Sequence, residues 1–156
     1  ASDAEPTTAL TAPVAGTATP LEKVADPVFS SGALGNGVGI VPSDGHVLAP
    51  VAGTVVTAMD SGHAYGIRTD DGVEVLVHVG LDTVNLKGEG FSPRVGAGQR
   101  VGRGDPLVDV DLAAVRQAGY DPTTVLVVTN TASLGAVVPV VDGPVTTATT
   151  VVEIDH

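Results

Sequence analysis

Cysteine is absent from the 156-residue chain, and this absence excludes disulfides, thiolate nucleophiles and cysteine-based zinc sites. Aromatic side chains are nearly as scarce, at 3% of the residues with no tryptophan. No apolar run approaches the ~18 residues of a membrane-spanning helix, so we expect no direct insertion into a membrane. Residues 1–20 lack the basic start and apolar centre of a secretory signal, and we therefore expect a cytoplasmic protein.

Basic residues are also few. Lysine and arginine total 7 against 18 aspartate and glutamate residues, which gives a formal net charge of -11. Such a surface repels phosphate backbones, so the composition argues against nucleic acid as a partner. It favours encounter with a basic protein instead.

Valine, threonine and glycine dominate what is present. Short valine-rich runs recur between turn residues, and a helical pattern is visible only over residues 112–119. This distribution predicts an all-β fold, a compact antiparallel β-sandwich or barrel-sandwich hybrid with at most short helical turns. The runs cover residues 38–41, 51–59, 73–79, 125–129, 137–141 and 145–154.

One short sequence occurs twice. Residues 12–17 read APVAGT, and residues 49–54 repeat the same letters. Two copies are too few for a solenoid, so we interpret them as equivalent strand-and-turn units in pseudo-symmetric halves of one domain. We expect that domain to span residues 9–156, preceded by a flexible tail or linker remnant over residues 1–8.

Two histidines can meet on a predicted β-hairpin. Alternation along residues 73–79 places the valines on one face, which we expect to be core, and His78 on the other. The turn signal in residues 69–72 allows two registers. A loop tip at residues 70–71 places His63 directly across from His78. A tip one residue later places Tyr65 across from His78 and leaves His63 one diagonal step away. Either register lets the two imidazoles meet.

Facing imidazoles have more than one chemical use. A neutral imidazole nitrogen is a nucleophile that can carry a labile phosphoryl group, and a second imidazole can donate a hydrogen bond to that group. Alternatively, two histidines can begin a zinc site, to which a nearby carboxylate would add a third ligand. The residues alone leave phosphoryl transfer, zinc-dependent chemistry and incidental surface histidines open.

The sequence around His78 is distinctive. Residues 72–84 read GVEVLVHVGLDTV, and residues 85–91 continue with NLKGEGF. This stretch closely resembles the active-site signature of the glucose-type IIA components of the phosphoenolpyruvate-dependent sugar phosphotransferase system. Residues 61–64 are similar to the family's second-histidine segment, and the likeness extends over roughly residues 9–155. The domain is thereby identified as a member of this family, an EIIA type-1 domain.

The resemblance implies a phosphocarrier. His78 would accept a phosphoryl group from the phosphohistidine of the carrier protein HPr and pass it to a cysteine of the IIB domain of a sugar permease. His63 would stabilise the phosphoryl group, and Ser61 would orient His63. Asp82 and Asp26 match carboxylates that can face basic residues of HPr. The implied binding face consists of apolar side chains, namely Phe29, Met59, Leu76, Val79 and Val84.

The implied chemistry requires no metal or other cofactor, although His63 and His78 can bind zinc opportunistically. The main alternative is a zinc-dependent hydrolase, a peptidase-like hybrid fold with these two histidines as metal ligands. Its His-x-His pair is absent, because no histidine stands two residues from His78. A lipoyl or biotin carrier would need a modifiable lysine at a hairpin tip, and neither Lys23 nor Lys87 has such a context.

Overall fold

A computed structural model describes residues 9–24, 27–31, 35–58, 62–81, 90–130, 136–140 and 143–155. The strands in these ranges are β1 (Ala9–Thr11), β2 (Gly16–Pro20), β3 (Asn36–Pro42), β4 (His46–Leu48), β5 (Gly53–Ala58), β6 (Ala64–Arg68), β7 (Glu74–Val79), β8 (Phe91–Pro93), β9 (Arg100–Val101), β10 (Pro106–Val110), β11 (Thr124–Val128), β12 (Ala136–Pro139), β13 (Gly143–Val145) and β14 (Thr150–Asp155). The helical segments are a 3-10 turn (Leu21–Lys23), α1 (Pro27–Ser30) and α2 (Leu112–Gln117). None of the helices in the described part of the chain has the length and apolar character needed to cross a bilayer.

The strands form antiparallel sheets. The largest sheet has eight strands in the order β13-β2-β3-β11-β7-β6-β5-β9. Two three-stranded sheets have the orders β1-β14-β12 and β4-β10-β8. Every strand pairing among the described residues is antiparallel. The predicted all-β class with short helical turns is confirmed.

The two APVAGT copies hold each other through reciprocal backbone bonds. Thr11, just before the first copy, donates its amide hydrogen to the Pro50 carbonyl (N···O 3.1 Å). Leu48, just before the second copy, donates in the same way to the Pro13 carbonyl (2.7 Å). A pseudo-two-fold axis between the copies requires such a reciprocal pair of hydrogen bonds. The two copies therefore belong to pseudo-symmetric halves of the domain, as predicted.

The same symmetry orders the large sheet. Gly16 opens β2 and pairs with Val145 of the edge strand β13, while Gly53 opens β5 and pairs with Val101 of the edge strand β9. The two halves of the sheet therefore meet at its centre, between β11 and β7. This central pair carries His78.

The main core draws apolar side chains from all three sheets. The valines at positions 73, 75, 77 and 79 are each at most 2% exposed, which confirms the predicted core face of residues 73–79. Because alternate residues of a strand point to opposite faces, Leu76 and His78 lie on the outer face of the large sheet.

Tyr65 of β6 is the largest fully buried side chain in the described ranges, and its hydroxyl has no hydrogen-bond partner there. Burial raises the pKa of Tyr65 to about 12, because the core disfavours the charged phenolate. Leaving a buried donor unsatisfied costs about 1–3 kcal/mol, so Tyr65→Phe is expected to raise the free energy of unfolding by about 1 kcal/mol. Urea denaturation measures this change.

Tyr120→Phe is the matched control for this substitution. Tyr120 is only partly buried at the edge of the core, so its variant should change the free energy of unfolding by less than about 0.5 kcal/mol. A less stable Tyr65→Phe variant would show that the Tyr65 hydroxyl has a partner after all.

Candidate active site

The β6–β7 hairpin carries the two histidines in a register that neither prediction gave. Ala64, rather than His63 or Tyr65, pairs with His78. His63 lies one residue before β6, and its carbonyl accepts a hydrogen bond from the Val79 amide (N···O 2.6 Å). The two predicted registers are therefore each wrong by one residue, in opposite directions.

The hairpin loop explains the difference. Thr69 and Val73 close it through an amide–carbonyl bond of 2.9 Å, which leaves residues 70–72 as a three-residue loop. A loop of this length typically combines a turn with a final residue in the left-handed region, and Gly72 has a φ of +93°. Gly72 thus belongs to the loop, and the pairing register is centred on Asp71.

The two imidazole rings nevertheless meet. Their centroids lie 5.2 Å apart at an interplanar angle of 79°, an edge-to-face arrangement. His63 reaches His78 because it precedes the regular strand, directly after Gly62 with a φ of +76°, and so does not follow the strand's alternation. The predicted contact is present, although its geometric basis differs from the predicted one.

A backbone carbonyl fixes the proton of His78. The Nδ1 atom of His78 lies 2.7 Å from the Gly80 carbonyl oxygen. A carbonyl oxygen only accepts, so Nδ1 must carry the hydrogen in this bond. In the neutral ring the lone pair then resides on Nε2. This hydrogen bond therefore makes Nε2 the basic atom of the neutral His78 ring.

His63 is held in its neutral form. The residue is 4% exposed. Burial lowers the pKa of His63 below its usual 6.5, and the neighbouring His78 lowers the same pKa further. At neutral pH the ring is uncharged and therefore carries a single N–H group.

A small apolar cluster lies beside His78 on the outer face of the large sheet. The Phe29 ring is tilted against the His78 ring, with centroids 5.0 Å apart. Val125 of β11 pairs with His78, and Val127 pairs with Leu76, so these side chains share one face. The cluster comprises Leu21, Val24, Phe29, Leu81, Val125 and Val127, with the half-buried Leu76 packed against it.

Sequence reasoning missed most of this cluster. Leu21, Val24 and Leu81 precede or follow strands and carry no signal that links them to the site. The valines of β11 did carry a sequence signal, because all five residues of that strand are apolar or threonine. All five are buried in the structure. A strand that is buried on both faces reads as a continuous apolar run.

Two residues of the predicted binding face are buried. Val79 is 2% exposed and belongs to the main core, so its predicted place on that face is wrong. The reason is strand alternation, which points Val79 away from the His78 face. Phe29 is 4% exposed, so it supports the His78 ring and offers a partner little area. Leu76 remains partly exposed.

Five of the predicted site residues lie outside the described residues, namely Ser61, Asp26, Asp82, Met59 and Val84. The predicted tail of residues 1–8 also lies outside them. Within the described ranges, no group of three or more histidine, aspartate or glutamate side chains is arranged to hold a metal ion. The described site is thus a pair of histidines beside a buried apolar cluster.

Comparison with known proteins shows the same family throughout. The family profile described as phosphoenolpyruvate-dependent sugar phosphotransferase system, EIIA 1, matches residues 8–134. The chain is 49% identical over 119 residues to the PTS system glucose-specific EIIA component of Halalkalibacterium halodurans, covering 76% of this chain and 69% of that protein. The solved structure of glucose permease IIA from Mycoplasma capricolum matches with a TM-score of 0.83 at 38% identity, covering 93% of this chain and 94% of the other.

Some relatives are much longer. The chain is 42% identical over 146 residues to the PTS system mannose-specific EIIBCA component of Corynebacterium glutamicum, covering 94% of this chain but only 21% of that protein. The histidine pair alone had left phosphoryl transfer and zinc-dependent hydrolysis open, and the family decides in favour of phosphoryl transfer. This phosphocarrier chain is a member of the EIIA 1 family of the phosphoenolpyruvate-dependent sugar phosphotransferase system.

Proposed function

We propose that the chain is a cytoplasmic phosphocarrier in which Nε2 of His78 accepts a phosphoryl group from HPr and passes it to a cysteine of a IIB domain. The bond of 2.7 Å between His78 Nδ1 and the Gly80 carbonyl carries this proposal, because it leaves the lone pair on Nε2. Relatives named EIIBCA and EIICBA components support a sugar permease as the receiving partner. The chain's formal net charge of -11 suits a basic donor protein.

The acceptor step forms one bond and breaks another. The Nε2 lone pair of His78 attacks phosphorus while the phosphorus–nitrogen bond of the donor phosphohistidine breaks, and the donor ring keeps that electron pair. The Nδ1–H of His78 donates to the Gly80 carbonyl throughout, which stabilises the positive charge that develops on the ring. Because β7 lies at the centre of the large sheet, the nucleophile is held rigidly for in-line attack.

His63 stabilises the phosphoryl group in this proposal. Its ring is neutral and packs edge-to-face with the His78 ring, so its N–H can donate to a phosphoryl oxygen without bringing a buried charge. The buried apolar cluster around Phe29 keeps water from one side of the His78 ring, and a docked partner would exclude it from the other. Such exclusion strengthens these hydrogen bonds.

No cofactor is needed for these steps, because the nucleophile is a ring nitrogen. Zinc held by His63 and His78 would occupy the same lone pair and would therefore inhibit transfer. The test is to incubate the purified chain with phosphoenolpyruvate, enzyme I and HPr in the presence of a chelator. We expect one acid-labile phosphoryl group per chain, and none when HPr is omitted. A chain that stays unlabelled with its cognate HPr contradicts the proposal.

His63→Ala is expected to accept the phosphoryl group but to pass it to a IIB domain about 10²–10³-fold more slowly, the usual effect of removing one donor to a developing negative charge. A chase of the labelled chain with a IIB domain measures the transfer rate. His63→Gln is the matched variant, because its amide retains an N–H donor, and it should recover part of the rate. Equal rates for wild type and His63→Ala would remove His63 from the mechanism.

A further inference from the structure

The Gly80 carbonyl that holds His78 is itself held by a distant segment. Gly80 donates its amide hydrogen to the Thr123 carbonyl (N···O 3.0 Å), and Leu81 donates to the Asp121 carbonyl (2.8 Å). These two bonds tie the residues that follow β7 to the residues that precede β11. Gly80 needs such anchors, because its φ of +81° and its missing side chain leave the isolated peptide free to move.

The shape of that distant segment depends on one carboxylate. Asp121 Oδ1 accepts from the Thr123 amide at 2.9 Å and from the Thr123 hydroxyl at 2.6 Å. An aspartate that binds the amide two residues ahead forms a local turn, and Pro122 between them restricts the backbone further. Thr123 is only 6% exposed, so its hydroxyl relies on this acceptor.

We infer that Asp121 is a positioning residue for His78. Its carboxylate fixes the turn of residues 121–123, the turn fixes the Gly80 carbonyl, and the carbonyl keeps the proton of His78 on Nδ1. Asp121 thereby sets which tautomer of His78 is present before any partner arrives. The inference rests on the proposed function insofar as Nε2 is the reacting atom.

The effect passes through hydrogen-bond geometry. A hydrogen bond weakens steeply when its distance or angle departs from the favoured range. If the Gly80 carbonyl moves, Nδ1 loses its acceptor, and part of the population places the proton on Nε2. A ring protonated on Nε2 has no lone pair there, so the reactive fraction of the protein falls.

The experiment measures the tautomer and the rate separately. The ¹⁵N chemical shifts of the His78 ring are recorded in the unphosphorylated chain without HPr, and acceptance from phospho-HPr is then followed over a range of HPr concentrations. For Asp121→Ala we expect a mixed tautomer signal and a kcat about tenfold lower, as for loss of an outer hydrogen-bond partner, with KM unchanged. Asp121→Asn keeps an oxygen acceptor and should restore both readouts.

Asp105→Ala is the matched control. Asp105 Oδ2 accepts from the Gly102 amide at 2.7 Å, so this carboxylate also stabilises a turn, here between β9 and β10. Its loss should leave the His78 tautomer and kcat unchanged. A similar tautomer shift in both variants would mean that any weakened turn disturbs His78, and this would overturn the assignment to Asp121.

Other outcomes are equally decisive. A wild-type tautomer signal in Asp121→Ala overturns the inference even if the rate falls, because the carboxylate would then act on the partner through its charge. If Asp121→Ala does not fold, Thr123→Val removes only the hydroxyl bond and should shift the tautomer in the same direction. A wild-type signal there overturns the inference too. The nitrogen signals need no phosphoryl transfer, so failure of the proposed function appears separately as an unlabelled wild type.

Discussion

His78→Gln is expected to accept no measurable phosphoryl group, a loss of more than about 10⁴-fold in rate, since removal of a nucleophile eliminates the covalent route. Glutamine is close in size to histidine, and its amide N–H can still donate to the Gly80 carbonyl that now accepts from Nδ1. The variant should therefore fold, but it has no nucleophilic ring nitrogen. Rapid-quench measurement with phospho-HPr compares its rate with that of wild type.

His46→Gln is the control for this loss. His46 is an exposed histidine of β4 whose Nδ1 lies 2.9 Å from Asp109 Oδ1, and this hydrogen bond raises the pKa of His46. It contacts neither ring of the proposed site in the described structure, so its variant should accept phosphate at the wild-type rate. Retained labelling in His78→Gln, or lost labelling in His46→Gln, would place the acceptor elsewhere.

The histidine pair shows which features of the site could be predicted from the sequence and which could not. Strand alternation correctly placed the valines of residues 73–79 in the core and His78 on the opposite face. The exact register could not be read, because Asp70, Asp71 and Gly72 each suit a turn, and only the left-handed conformation of Gly72 decides the loop length. A single residue of loop length changes every cross-strand partner.

The surroundings of His78 were harder to predict for a different reason. Val125 comes beside His78 through pairing between β7 and β11, which are far apart in the chain. Local patterns specify faces within a strand but not which distant strand lies alongside. Family resemblance pointed to positions such as Val79 without regard to burial, and the core placement of Val79 corrects that prediction. The repeated APVAGT was more informative, since both copies could be compared within one chain.

Gly37→Ala is expected to lower the free energy of unfolding by about 4 kcal/mol, a large share of the 5–15 kcal/mol that holds a typical domain together. A Cβ atom on Gly37 of β3 would lie 1.9 Å from the Leu126 carbonyl oxygen and 2.8 Å from the Val127 Cα. Both atoms belong to the backbone of β11, so no side-chain rotation can relieve the overlap. Urea denaturation of the variant measures the loss.

The position of β11 extends this effect to the site. β11 lies between β3 and β7, with Val127 paired to Gly37 on one side and to Leu76 on the other. Moving β11 to admit a methyl group would therefore disturb the strand that carries His78, and phosphoryl acceptance should fall even where the variant remains folded.

Gly96→Ala is the control, because no atom lies within 4 Å of its added Cβ. We expect its free energy of unfolding to stay within about 0.5 kcal/mol of wild type. If both variants unfold at the same urea concentration, β3 can move away from β11 at little cost. The central sheet would then be too compliant to hold His78 for in-line attack, and rigidity would have to come from the histidine's own hydrogen bond.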